Sequence, residues 1–169
     1  MGLKDDLRIA FEENLSSAGE ISDVAKLITD TYKSNVEISK DSLGNTWKGI
    51  NYPAIQKAIE AQLQLSFNTK SFLQFTLIEA GLVAGWTSAT IKLVAIPAPG
   101  LALVNSGIVV ASTPVGTTPL VIESSEYDNI VNKFYNMFTG HAKTLSFNYI
   151  GVTLAGNPLT VPVPILVIK

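Results

Sequence analysis

The chain has no cysteine and a single histidine, His141. The first absence excludes disulfide scaffolds, thiolate metal centres and cysteine nucleophiles. The second excludes any site built from several imidazoles. Charge is also scarce: 15% of the positions are Asp, Glu, Lys or Arg, against about 25% in an ordinary soluble domain. With 12 basic and 14 acidic residues the formal net charge is −2, which gives no electrostatic footprint for nucleic acid or for an acidic lipid surface. No phosphate-cradling Gly-x-x-x-x-Gly-Lys, dinucleotide-binding Gly-x-Gly-x-x-Gly, calcium loop or Gly-x-Ser-x-Gly turn occurs, so no cofactor, metal or catalytic residue is expected from motifs.

What is present is 169 residues that are 47% hydrophobic, enough to close one core, and residues 1–169 are expected to form a single domain. The start, Met-Gly-Leu-Lys-Asp-Asp-Leu-Arg, mixes acids and bases and does not read as a secretory signal, so synthesis in the cytoplasm is the default expectation. Charge is distributed unevenly. Residues 1–79 carry 11 acids and 8 bases, while residues 80–169 carry 3 and 4, and the 30 residues between Lys92 and Glu123 carry none. Pro97, Pro99, Gly100, Gly107 and Pro114 interrupt that run, which argues against a membrane helix. An uncharged surface of Ser, Thr and Asn fits permanent packing against neighbouring subunits instead.

Leu3, Leu7, Ala10, Phe11 and Leu15 recur at helical spacing and predict an amphipathic helix over 2–16. Ser17 followed by Glu20 reads as a capping box for a second helix over 18–34, lined by Ile21, Val24, Ala25, Ile28 and Tyr32. Turn residues over 35–51 predict a loop pinned by Trp47, and Pro53 opens a third helix over 53–66 with Ile55, Ala58, Ile59 and Leu63 on one face. A nearly apolar fourth helix runs from Thr69 towards Trp86, and its Gly81 and Gly85, four apart, suit close helix packing in a core. Beyond it, Ala89–Ile96 and Gly107–Ser112 read as strands, 125–139 as a helix stopped by Gly140, and 143–154 with 159–169 as a closing hairpin. The expected class is thus α+β. Residues 1–86 form a mainly helical part, and residues 87–169 a strand-rich part with one helix. Amphipathic N-terminal helices would pack on a small, mostly antiparallel sheet, with that one helix inserted before the C-terminal hairpin.

Few residues invite a chemical reading. His141, just past the predicted helix end, suits a capping role for the last carbonyls. Glu79 falls inside the apolar fourth helix, where a charge needs a partner or water, and Lys92 is the nearest candidate in sequence. Those three residues define the alternative to a structural role, a small-ligand-binding or hydrolytic pocket near Glu79, Lys92 and His141. In the last run Pro162 and Pro164 cannot donate to a ladder, which places that strand at an edge or against a partner. Leu159, Val161, Pro162, Pro164 and Leu166 are accordingly the candidate subunit interface.

Three features of the chain carry a resemblance: the Gly/Ala/Trp passage Ala80–Trp86, the run Gly140-His141-Ala142-Lys143-Thr144 leading into Leu145–Gly151, and the proline-punctuated end from Asn157-Pro158 to Pro164. In this layout the chain resembles the small structural proteins of bacteriophage tails and necks. The resemblance implies a non-enzymatic building block that assembles with copies of itself and with other virion structural proteins. Such a block would be made in the host cytoplasm and incorporated into the virion. The charge balance, the interrupted apolar run and the missing motifs give no expectation of a nucleic-acid, membrane or small-molecule partner.

Overall fold

The computed structural model describes residues 2–14, 19–40, 44, 46–69, 76–92, 102–110, 127–152 and 158–164. Side chains are described for 2–13, 19–40, 44, 46–68, 77–90, 130–143 and 145. Helix α1 spans Leu3–Ile9 and passes into a π-helical turn at Ala10–Asn14. Helices α2, Ile21–Ile38, α3, Tyr52–Thr69, α4, Thr76–Thr87, and α5, Tyr127–Thr144, follow, with the short strand β1, Thr46–Lys48, between α2 and α3. Local chemistry sets the starts. The Glu20 amide donates to Asp23 Oδ2 at 3.3 Å, so α2 begins at Ile21, three residues later than expected, while Ser17 lies outside the described residues. Asn51 caps α3, its Oδ1 accepting the Ala54 amide at 3.2 Å, with Pro53 in the first turn where its missing N–H costs nothing.

The expected α+β class is corrected by this architecture. Of the residues with described side chains 82% are helical, in five helices, and they include one short strand and no sheet. The fold is mostly helical. Its core is helix on helix: Leu3, Leu7, Ala25, Ile28, Tyr32, Ile55, Ile59, Ile78, Leu82, Trp86, Val131, Phe134 and Phe138 are all buried. The physical reason is that the apolar stripes of these helices cover one another, so the body needs no sheet face to close it. Of the extended segments, β2, Thr90–Lys92, follows α4, while β3, Ala102–Val110, β4, Ser146–Val152, and β5, Pro158–Pro164, are described in backbone. The backbones pair antiparallel in the order β1-β2-β3-β4-β5, but β2 meets β3 at one register position, Thr90 with Ile108. Among the residues with described side chains there is thus neither the expected sheet layer nor the expected closing hairpin.

Two further boundaries differ from expectation. Helix α2 continues to Ile38, because Asn35 and Val36 are buried and Ser39 closes the end by donating to the Asn35 carbonyl at 2.7 Å. Helix α5 runs through Gly140 to Thr144. A mid-helix glycine costs about 1 kcal/mol, and the burial of the apolar Ala142 and Leu145 beyond it offsets that cost. Of the expected fourth helix, Phe72 and Leu73 lie outside the described residues.

The seam between α3 and α4 is the tightest contact of the body. A Cβ built on Gly81 would stand 2.2 Å from the Cβ of Ala58, and one on Gly85 would stand 2.6 Å from Cγ1 of Ile55. The glycines let the two backbones approach, and the Asn51 amide then reaches the Gly85 carbonyl at 2.9 Å, satisfying an acceptor near the end of α4. Gly49, at φ 76°, lets the chain turn into that contact, and Ser88 donates to its carbonyl at 2.7 Å. Gly81→Ala should therefore lose about 1–2 kcal/mol of stability in urea titration, because overpacking exceeds the gain in helix propensity. Adding Ala58→Gly should restore most of it. A Gly81→Ala protein at least as stable as the parent would show that the seam is not close-packed.

Candidate functional site

The interior of the body is organised by aromatic rings drawn from five elements. Phe11 of the π-helical turn meets Phe134 of α5 at 6.0 Å, and Phe134 meets Phe138 at 5.9 Å. Phe138 stacks on Tyr32 of α2 at 4.3 Å with 23° between the planes. The Tyr32 hydroxyl accepts a hydrogen bond from Trp86 Nε1 of α4 at 2.8 Å, and Trp86 meets Trp47 of β1 edge-on at 5.9 Å. Trp47 thus pins its segment as expected. Tyr32 and Trp86 are both fully buried, and each ring has one polar atom that must be satisfied where water is excluded. Burial pushes the Tyr32 phenol well above its ordinary pKa, which keeps it neutral and suits a structural tie.

Next to this chain lie two buried ionisable groups, and each departs from its expected role. His141 lies inside α5, fully buried, where the expectation placed it beyond the helix end as a cap. Removal from water lowers its pKa from 6.5 to about 4, so at neutral pH it is an uncharged imidazole and cannot complement the helix dipole. Glu79 sits in the first turn of α4, 3% exposed. It is seven residues before Trp86 and therefore on the inward side of the helix. Among the described residues no hydrogen-bond donor or cation is paired with its carboxylate, and burial pushes its pKa up. The side chain of Lys92, on β2, is outside those described. No hydrogen bond or ion pair joins Glu79 to His141. Glu79 and His141 thus stand on α4 and α5, and the third residue of the pocket reading, Lys92, has its side chain outside the described residues. Among the described residues no cluster of His, Asp or Glu could hold a metal ion, and no helix is long and apolar enough to cross a membrane.

The surface offers a different candidate. Leu65 and Leu77 are 50% and 42% exposed, and Phe67 is 72% exposed. On α3 the inward stripe is Ile55, Ile59, Gln62 and Ser66, so Ala61 and Leu65 face outward beside the seam. On α4 the seam side is Gly81 and Gly85, so Leu77, Ala80 and Ala84 border it from the other side. The Leu77 amide donates to Gln62 Oε1 at 3.4 Å, which ties the two helices at that level. With Thr87 and Ser88 the exposed side of α4 has no charge, whereas that of α2 carries Asp23, Lys26, Asp30, Lys33 and Glu37. This exposed side of α4 is uncharged and partly apolar, with Leu65 of α3 beside it. Of the face expected over 53–66, Ile55 and Ile59 are buried, Leu63 packs against the core and Ala58 meets α4 at the seam, while the inward Gln62 and Ser66 were not expected. The readable signal was Gln62 and Ser66 continuing the Ile55–Ile59 spacing, which leaves Leu65 outside.

Of the candidate interface, Leu159, Val161, Pro162 and Pro164 lie on β5, which pairs with β4 in the register Tyr149 with Val161 and Asn148 with Pro162. Leu166 lies outside the described residues. Comparison with protein-family models, curated proteins and solved structures gives no match for this chain.

The two buried ionisable groups impose opposite pH dependences. A histidine whose pKa falls from 6.5 to about 4 on folding leaves stability whole above pH 6.5 and removes up to about 3 kcal/mol as the pH falls towards 4. A carboxyl raised on folding, as in Glu79, favours the folded state below its ordinary pKa and loses that contribution as the pH rises through the folded value. His141→Leu should therefore gain on the parent protein between pH 6.5 and 4 in thermal melts, and a constant difference across that range would show that His141 is not buried neutral. Glu79→Gln should be at least as stable as the parent at pH 7, and a loss above 1 kcal/mol in urea titration would show that the carboxylate is paired.

Proposed function

We propose that this chain is a non-enzymatic structural subunit that assembles with copies of itself or with other subunits into a larger particle. The setting is a bacteriophage virion, as a tail or neck component, where its partners are other virion structural proteins. The observation that carries this reading is the uncharged exposed side of α4, with Leu77 on it and Leu65 of α3 half exposed on either side of a glycine seam. The charge-depleted second half of the chain and the resemblance of its layout to small tail and neck proteins support it. Monomers rarely leave such faces uncovered, and repeated contacts between identical subunits close into rings or extend into tubes. Residues Leu159, Val161, Pro162 and Pro164 on β5 supply the second contact in this reading.

The test is the absolute mass in solution across a concentration series, by light scattering after size exclusion. A defined oligomer of several 18.1 kDa subunits is expected. Leu65→Ser with Leu77→Ser should weaken association about tenfold or more while the helical circular dichroism is unchanged. Deleting residues 159–169 should likewise lower the mass. A monomer at every concentration, or a mass indifferent to both changes, contradicts the proposal.

A further inference from the structure

We draw no further inference here: the strongest candidate, the uncharged exposed side of α4 around Leu77, Ala80 and Ala84 with Leu65 of α3 beside it, belongs to the surface of the proposed function, and nothing in the structure shows what covers it.

Discussion

The hydrogen bond from Trp86 to Tyr32 is the constraint on which the helical body depends. Both rings are large enough to dominate the core, and each carries a polar atom that costs about 1–3 kcal/mol if left without a partner away from water. The two satisfy each other at 2.8 Å across 54 residues of chain, which sets α2 and α4 in one register. Stacking of Phe138 on Tyr32 extends the constraint to α5, and the edge contact with Trp47 extends it to β1. An aliphatic core of the same volume would bury as much area, but it would allow the helices to slide, because apolar contact has no direction.

The glycine seam follows from that registration. With Trp86 held inward, Gly81 and Gly85 fall on the side of α4 that meets α3, and the short distance between the helices leaves Ala61, Leu65, Leu77 and Ala84 along its outer rim. Packing inside and the apolar strip outside are thus two sides of one helix pair. The ionisable groups belong to the same picture. Glu79 and His141 are held out of water by the packing around them, on different helices. Their consequences fall on stability, in opposite directions with pH. The uncharged exposed side of α4, with Leu65 beside it, is the feature that supports the proposed assembly role.

Much of the helical body was legible in the sequence wherever a local signal and a buried stripe agreed. Pro53 marked the first turn of α3, Trp47 marked the pinned segment, and the spacing of Gly81 and Gly85 marked the close approach. Other elements were misread because a local signal was outweighed by packing. Gly140 reads as a stop, yet the buried residues after it carry α5 to Thr144. Asn35 reads as loop chemistry, but in the structure its Nδ2 donates to Asp6 at 2.9 Å and to the Thr31 carbonyl at 3.0 Å, which keeps it inside α2. The β-branched runs of the second half led to an α+β class, whereas the packed body is helical. The exposure of Leu65 was hidden because Gln62 and Ser66, polar residues, complete the inward stripe of α3 begun by Ile55 and Ile59.

Native-state hydrogen exchange tests the central claim most directly. If the aromatic chain ties α2, α4 and α5 into one cooperative unit, the slowest amides around Tyr32, Trp86 and Phe138 will share a single opening free energy equal to that of global unfolding. They will also fall together when denaturant is added. Opening of α5 at a free energy clearly below that of α2 and α4 would contradict the account, because the stack of Phe138 on Tyr32 would then not couple the helices.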